Sequence, residues 1–256
     1  MEYSFRNDKK NKINVEEGTQ MNIKTVFKRL IFPDTYSEAA YIDALKKKYH
    51  VDIGEGCRIW SPNWTHIDVQ RPHMLHIGNY VKITNNVTIL CHDYSRSVLC
   101  SIEGYENIGE AKMTWIGNNV FIGMNTTILM GTHIGNNSIV GAGSICSGFY
   151  PDNSVIAGNP AKVVKSIDEY YKNRKDKQVE AAKLYVKQWR RVYGKNPQIE
   201  DMTNAFAWLY LPHTEDTIKS YPKLFSLTGI DKDVFVHNFL NSKAVYSSFQ
   251  DFLNDC

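Results

Sequence analysis

An aliphatic residue or a cysteine recurs at every sixth position in the middle of the chain, and this repeat constrains the fold more than any other feature. The in-phase positions are Ile116, Ile122, Ile128, Ile134, Val140 and Cys146. The same phase occurs earlier in the chain, with an interruption at 65–76, at Ile53, Ile59, Ile77, Ile83 and Ile89. A period of six fits neither an amphipathic helix nor an alternating strand.

We interpret each hexapeptide as one short strand and one corner, so that three of them, about 18 residues, complete one coil of a triangular solenoid. The repeated side chain would point into the prism and stack on its equivalents in the neighbouring coils. Gly and Asn would occupy the corners, because these residues tolerate positive φ. The alternative, a β-sandwich with coincidental Gly-Asn turns, does not explain six positions in strict phase.

Residues 53–165 resemble the hexapeptide-repeat acyltransferases, in particular the maltose and galactoside O-acetyltransferases and the acetyltransferases of surface-polysaccharide gene clusters. The resemblance covers somewhat less than half of the chain. It implies a mainly β fold, a left-handed parallel β-helix. It also implies acetyl-CoA as acyl donor, a sugar hydroxyl as acceptor, and a homotrimer with active sites between subunits.

The regions on either side of the repeats have a different character. Residues 1–52 are interpreted as a polar tail followed by two short capping helices, the second of which begins after Ser37 as N-cap. Residues 166–256 are rich in helix formers and aromatic residues, and predict a helical C-terminal extension whose first helix ends at Gly194. Its lysines and arginines are interpreted as a solvated helix face, with contact to phosphate as the alternative.

Composition excludes several classes of function. The 256 residues include 30 Lys and Arg against 27 Asp and Glu, a balance that predicts no nucleic-acid partner and no anionic membrane surface. No apolar run approaches the roughly 18 residues of a membrane span, and the N-terminus lacks the apolar core of a signal peptide. Five cysteines without a CxxC pair are typical of free thiols, so we expect a cytoplasmic protein.

The candidate catalytic base lies where the phase breaks. Ile89 and Ile116 are separated by 27 residues, more than a coil of about 18, so 90–115 is expected to leave the prism as a loop. His92 opens this loop directly after a strand. In the acetyltransferases that the chain resembles, a histidine after the equivalent strand is the base, and neutral imidazole suits that role near neutral pH. The group that orients His92 stays open among a backbone carbonyl, Asp93, Glu103, Glu106 and Glu110.

Acceptor binding is assigned to three polar residues, Asn85, Asp68 and Asp93. Asn85 lies in the corner before the loop, and Asp68, in THIDVQ, resembles an aspartate that contacts acceptor sugars in the family. Corner capping is the alternative for Asn85 and Asp68. The Arg71–Pro72 pair adds to the likeness with polysaccharide-cluster enzymes. Further candidates for the acceptor groove are Trp60, Trp64, Tyr94 and Trp115, which could stack on a pyranose ring or simply pack. Four histidines are interpreted as surface or substrate-groove residues: His66, His73, His76 and His133.

The resemblance also indicates where acetyl-CoA binds. The relatives lay the pantetheine arm along an outer edge between two prisms, and an alignment without gaps assigns its contacts to Met124, Ala142, Ser147 and Gly148. Lys162 and Lys165, in GNPAKVVK, fall where basic residues meet the CoA phosphates, as point charges. A backbone N–H at 123–124 is the candidate donor to the oxyanion.

Three other functions share this fold. The γ-class carbonic anhydrases bind a metal ion through three histidines. Counted from His92, their remaining ligands fall at 133, which is His133, and at 128, which is Ile128, so no metal site is expected. An N-acetyltransferase of an amino or nucleotide sugar and a non-catalytic hexapeptide scaffold remain alternatives. The sequence therefore predicts an acetyl-CoA-dependent sugar O-acetyltransferase.

Overall fold

Fifteen short strands occur in residues 30–223 and 225–256, the part of the chain that this computed structural model describes, without the side chains of 203–205. The first eight are β1 Asp52–Ile53, β2 Arg58–Ile59, β3 His66–Ile67, β4 Leu75–Ile77, β5 Lys82–Ile83, β6 Thr88–Ile89, β7 Thr114–Ile116 and β8 Phe121–Ile122. The others are β9 Thr127–Ile128, β10 His133–Ile134, β11 Ile139–Val140, β12 Ile145–Cys146, β13 Phe149–Tyr150, β14 Ser154–Gly158 and β15 Ala161–Ser166.

Every third strand enters the same sheet, as a triangular solenoid requires. Sheet A has the order β1-β4-β7-β10-β13, sheet B has β15-β14-β11-β8-β5-β2, and sheet C has β12-β9-β6-β3. The strand pairs are parallel except β14–β15, which is antiparallel, so the chain turns back at its last strand. The predicted parallel prism is confirmed, with the correction that β15 ends it as one arm of a hairpin.

The prism interior is a stack of in-phase side chains. All six residues of the predicted stack, from Ile116 to Cys146, are completely buried. In sheet C, for example, Ile89 pairs with Ile128 and Ile128 with Cys146. Burial of each such side chain is worth roughly 1.5–3 kcal/mol, and together they hold the coils in register.

The last coil departs from the strict period. The inward residues opposite Ile134 and Val140 are Tyr150 and Ile156, two positions earlier than an unbroken repeat would place them. The cause is a shorter corner, because Ser147 and Gly148 alone connect β12 to β13 and Gly148 turns the chain with φ +89.

Asparagines at the corners adopt the left-handed conformation that the sequence predicts for them. Asn119, Asn137 and Asn153 have φ values of 54, 53 and 58. Their side chains form a ladder along the prism, with Nδ2–Oδ1 distances of 3.0 Å and 3.3 Å. Asn is favoured there because its short polar side chain offsets part of the cost of positive φ.

A short helical segment covers the first coil. Helix α1, Glu38–Asp43, begins after Ser37, whose Oγ accepts the Ala40 N–H at 3.2 Å, as the sequence predicts. It continues as a π-helical turn, Ala44–Lys48. The Tyr41 hydroxyl donates to the Thr65 carbonyl at 3.3 Å and so anchors the segment to the prism. The predicted tail and most of the predicted first helix fall in 1–29, outside the described residues.

The C-terminal extension builds a second hydrophobic cluster. The helices that follow α1 are α2 Arg96–Leu99, α3 Ile167–Tyr193, α4 Glu215–Ser220, α5 Lys232–Leu240 and α6 Phe249–Asn254. Helix α3 ends at Gly194, with φ 66, as predicted. In the described ranges, no helix has the length and apolar character of a membrane span. The buried members of the second cluster are Ala182, Val186, Met202, Ala207, Leu209, Tyr210, Leu211, Phe252 and Leu253.

The extension also contacts the first coils of the prism. Gly229, with φ 72, lies so close to sheet B that a Cβ at this position would be 2.7 Å from Arg58 Cγ. The chain therefore leaves the prism at the last coil of the prism and returns to contact strand β2 in the first coil.

Candidate active site

His92 and Asp68 are brought together by the register of two neighbouring strands. β3 and β6 are adjacent and parallel in sheet C, and Ile67 pairs with Ile89. Asp68 follows β3 directly, and its N–H donates to the Ile89 carbonyl at 2.9 Å. His92 follows β6, and its Nδ1 is hydrogen-bonded to Asp68 Oδ2. The two side chains thus leave sheet C from the same edge.

Asp68 is held as a carboxylate by the surrounding chain. It is 2% exposed, its Oδ1 accepts the Gln70 N–H at 2.9 Å and its Oδ2 accepts the Cys91 N–H at 3.0 Å. Burial raises the pKa of Asp68, but the hydrogen bonds from Gln70, His92 and Cys91 outweigh burial and lower the pKa to about 2. An ionised carboxylate at Nδ1 keeps the proton on that nitrogen, which leaves Nε2 with the lone pair of a base.

The other carboxylates considered for orienting His92 are engaged elsewhere or exposed. Asp93 accepts hydrogen bonds from the Ser95 N–H at 2.7 Å and from the Ser95 hydroxyl at 2.9 Å. Both bonds lower the pKa of Asp93, and the bond from the N–H has the larger effect. Glu110 forms an ion pair with Lys112. Glu103 and Glu106 are exposed. The group at His92 Nδ1 is therefore Asp68, which was not among the candidates from the sequence.

The sequence analysis assigns Asp68 to acceptor binding, and the structure shows the contacts of Asp68 within the chain. The side chain is covered by the chain, and its oxygens already accept from two amides and from His92. Only His92, with a quarter of its side chain exposed, offers a polar atom of this pair to solvent. Within the chain, Asp68 thus orients the His92 ring, and its contact with the acceptor stays a prediction.

Asn85 lies with two residues of the expected CoA site at the opposite edge of sheet C. Asn85 precedes β6, whereas His92 follows it. The Asn125 N–H donates to the Asn85 carbonyl at 3.1 Å, and the Gly143 N–H donates to the Met124 carbonyl at 2.7 Å. Asn85, Met124 and Ala142 therefore occupy equivalent corners of successive coils, which we call the corner column.

The remaining CoA candidates are divided between the two edges. Ser147 and Gly148 follow β12 as His92 follows β6, so they lie on the edge of His92. A Cβ on Gly141, the residue before Ala142, would be 3.2 Å from the Ala157 Cβ. Lys162 pairs with Ala157, so Lys162 lies at the next step of the corner column. Lys165 pairs with Val155, farther along β14 from that edge.

The expected oxyanion donor can be narrowed to one amide. The Gly123 N–H donates to the Val140 carbonyl at 2.9 Å within sheet B. The candidate at 123–124 is therefore the Met124 N–H, which belongs to the corner column.

Between β6 and β7 the chain forms a loop, with the short helix α2, that borders an open cleft of about 640 Å³ against the prism. The cleft is lined by Arg71, His73, Met74, Arg96, Gly109, Glu110 and Ala111. Arg71 Nη1 donates to the Glu110 carbonyl at 2.8 Å, and Arg96 Nη1 donates to the Ile108 carbonyl at 3.5 Å. The sequence analysis did not assign either arginine to a site, because their proximity depends on the path of the loop.

Several of the remaining candidates form an aromatic ladder on the outer face of sheet A. His76 stacks on Trp115 with ring centroids 3.7 Å apart, and His133 stacks on Phe149 at 4.8 Å. His76 Nδ1 also contacts Asp52 Oδ2 at 2.6 Å. Ile128 points into the prism interior, and among the described residues no three His, Cys, Asp or Glu side chains are grouped to hold a metal ion.

Comparison with known proteins assigns the repeats to one family. The model of the bacterial transferase hexapeptide (six repeats) matches residues 113–148. Protein CapG of Staphylococcus aureus is 43% identical over 124 residues, which cover 48% of this chain and 70% of CapG. A galactoside O-acetyltransferase of Escherichia coli is 30% identical over 166 residues, which cover 57% of this chain and 79% of that enzyme.

A third relative matches over a shorter stretch. The putative lipopolysaccharide biosynthesis O-acetyl transferase WbbJ of Escherichia coli is 50% identical over 56 residues, which cover 22% of this chain and 29% of WbbJ. The matches to CapG and to the galactoside enzyme cover more than two thirds of each relative.

Proposed function

This chain belongs to the hexapeptide-repeat transferase family and is an acetyltransferase of it, and we propose that it transfers an acetyl group from acetyl-CoA to a sugar hydroxyl, with His92 as general base. The observation that carries the proposal is the pair of His92 with the buried Asp68 carboxylate at the start of the loop 90–115. The names of the galactoside enzyme and of WbbJ support a sugar acceptor and an oxygen as the acetylated atom.

In the proposed mechanism, His92 Nε2 removes the proton of the acceptor hydroxyl while that oxygen attacks the carbonyl carbon of the thioester. Asp68 stabilises the imidazolium that forms, because its carboxylate accepts the Nδ1–H. The Met124 N–H stabilises the negative charge that develops on the acetyl oxygen. When the C–S bond breaks, His92 returns the proton to the sulfur of CoA.

We place the pantetheine arm along the corner column, against Met124 and Ala142, with Lys162 near the CoA phosphates and Ser147, Gly148 and Lys165 as further contacts. In one chain, the corner column and His92 lie at opposite edges of sheet C. A site that uses both therefore needs two copies side by side, which supports a homotrimer of left-handed prisms. Light scattering should give about three times the 29.4 kDa of one chain, and a monomer across dilution would contradict this arrangement.

We further propose that the acceptor is a cell-surface glycan precursor that is acetylated in the cytoplasm. The stretch ITNNVTILCHDYS and the Arg71–Pro72 pair resemble polysaccharide-cluster enzymes, and WbbJ is named for lipopolysaccharide biosynthesis. The structure has all five cysteines as free thiols, in agreement with a reducing compartment.

The decisive experiment combines an acceptor screen with labelled acetyl-CoA and the variant His92→Ala. The variant should lower kcat about 10²- to 10⁴-fold, the range of general-base catalysis, and leave the affinity for acetyl-CoA nearly unchanged. His237→Ala, on the exposed surface of α5, is the matched control and should keep full activity. Full kcat in His92→Ala would place the base elsewhere, and transfer only to amino sugars would contradict O-acetylation.

The pH profile and a second variant test the assigned roles. Above about pH 4 the rate should show no step from protonation of Asp68, because the pKa of this carboxyl is about 2 and Asp68 stays ionised beside His92. Lys162→Ala should raise KM for acetyl-CoA and largely keep kcat. A loss of kcat at unchanged KM in Lys162→Ala would contradict its assignment to cofactor binding.

A further inference from the structure

The cleft between the prism and the loop 90–115 is largely open to solvent and has the volume of a ligand site. Its volume of about 640 Å³ lies within the range of small-molecule pockets, roughly 300–1,000 Å³. One wall is the turn 71–74, with a 3₁₀ segment at Pro72–Met74, and the other consists of Arg96 and residues 109–111. We call it the arginine cleft.

The arginine cleft is built on the same turn as the proposed catalytic pair. Arg71 follows Asp68 by three residues, and the thiol of Cys91, which precedes His92, donates to the Asp68 carbonyl at 3.4 Å. Cys91 in turn donates its N–H to Asp68 Oδ2 at 3.0 Å. The cleft and the proposed catalytic pair therefore share the turn that follows β3.

The charges that line the cleft are predominantly positive. Arg71 and Arg96 are half-buried, and no carboxylate in residues 30–223 or 225–256 lies within ion-pair distance of either guanidinium. Glu110 is compensated by its ion pair with Lys112. His73 adds a third basic side chain. In contrast, Arg58 elsewhere on the prism is neutralised by Glu38 at 2.5 Å.

Both arginines keep donors for a ligand. A guanidinium has five N–H donors, and the structure uses one of them on each side chain, toward the carbonyls of Glu110 and Ile108. These carbonyl bonds orient the planar groups, and Arg96 also lies over the Tyr94 ring at 5.5 Å, but in the described part of the chain no carboxylate compensates either charge. The fork of a guanidinium matches the two oxygens of a carboxylate or a phosphate.

We propose that the acceptor sugar carries a negatively charged group, a carboxylate or a phosphate, and that Arg71 and Arg96 bind this group in the arginine cleft. The inference rests on the proposed function, because it assumes that the acceptor hydroxyl is at His92. It adds the chemical class of the acceptor: an acidic or phosphorylated sugar, rather than a neutral one.

Matched acceptors test the proposal on the intact protein. Glucose, glucuronic acid and glucose 6-phosphate share a ring and differ in charge, and the last two distinguish carboxylate from phosphate. We expect kcat/KM for at least one charged sugar to exceed that for glucose more than tenfold. Arg71→Gln and Arg96→Gln should each lower this preference about 10- to 100-fold, mainly by raising KM for the charged sugar. This fold-change is the one expected for the loss of one hydrogen bond to a charged group. Arg191→Gln, at the exposed end of α3, is the control and should change nothing.

Conservative variants separate ligand binding from support of the loop. Arg71→Lys and Arg96→Lys keep the charge and lose the fork, so they should restore part of the preference. If the glutamine variants lowered transfer to glucose as much as to the charged sugars, the arginines would only support the loop, and the proposal would be wrong. Equal use of glucose and the charged sugars by the wild type would also overturn it, while the proposed function would stand.

Direct binding distinguishes failure of the inference from failure of the proposed function. Titration calorimetry of the same three sugars does not require turnover. If no sugar were acetylated but a charged sugar bound and Arg71→Gln abolished its binding, the anion site would be supported and the proposed acetyl transfer would fail. If neither charged sugar bound more tightly than glucose, the arginine cleft would not be an anion site.

Discussion

The prism and the C-terminal extension bury their apolar residues in different ways. The strands of the prism stack their inward side chains on the equivalent side chains of the neighbouring coils, as Ile89, Ile128 and Cys146 do. The extension instead gathers large side chains from separate segments, so that Tyr210 stacks on Phe252 with ring centroids 5.2 Å apart. The two groups form separate hydrophobic clusters.

This difference has consequences for stability. Since each coil of a solenoid is stabilised by its neighbours, a defect in the stack affects the coils on both sides. The extension depends on contacts between residues far apart in sequence, and its cluster shares no buried member with that of the prism. We therefore expect two unfolding transitions, and the following substitutions test whether the regions are independent.

The largest effect is expected from Ile128→Asp in the prism. The side chain is completely buried, and an unpaired carboxylate in its place costs several kcal/mol, enough to unfold the prism. Circular dichroism and thermal unfolding measure the loss. Thr127→Asp is the matched control, because Thr127 precedes Ile128 in β9 and is partly exposed. A soluble Ile128→Asp variant as stable as the wild type would contradict the stacked interior.

Phe252→Ala should have the next largest effect, and in the extension only. Truncation of a buried phenylalanine costs about 3–5 kcal/mol, and Phe252 lies at the centre of the second cluster. The helical signal near 222 nm should melt at a lower temperature while the prism transition stays in place. Val245→Ala, at an exposed position of the extension, should change stability by less than about 0.5 kcal/mol. An equal shift of both transitions would show that the regions unfold as one unit.

Acid should destabilise the prism through Asp68. The pKa of this carboxyl is about 2 in the folded protein against 3.8 for the unfolded reference, so its contribution is complete above pH 4 and is lost as the pH falls toward 2. The shift corresponds to about 2 kcal/mol. Denaturant unfolding at pH 6 and pH 2 measures this effect. The free energy of unfolding should fall between the two pH values by about 2 kcal/mol less in Asp68→Asn than in the wild type.

The exposed Asp176→Asn, on α3, serves as the control for acid unfolding. It should show the same acid dependence as the wild type, because Asp176 lies outside the prism. If the acid-dependent loss appeared in the transition of the extension, the assignment to Asp68 would be wrong.

The smallest effect is expected at the contact between the two regions. Gly229→Ala places a Cβ 2.7 Å from Arg58 Cγ at a φ of 72, and should lower the stability of the extension by about 1–2 kcal/mol. Gly104→Ala has a similar φ of 85 but no atom within 4 Å, so it reports the backbone cost alone. Equal effects of the two substitutions would show that the contact contributes nothing.

Local sequence carried most of the information about the prism. The six-residue period predicted the inward stack from Ile116 to Cys146, because a buried position repeats wherever the backbone repeats. The corner asparagines and the cap at Ser37 followed from conformational preferences of single residues. The shortened last coil was not predicted, because the period ends at Cys146 and gives no signal for the length of the next corner.

By itself, the sequence determined the repeating prism, the loop 90–115 and the position of His92 after a strand. Only the tertiary structure decided that Asp68 holds His92, that the corner column lies at the opposite edge of sheet C, and that Arg71 and Arg96 share a cleft. The physical reason is the range of the interactions. Strand period and corner conformation are local, whereas Asp68 and His92, 24 residues apart, meet only because neighbouring coils stack in register.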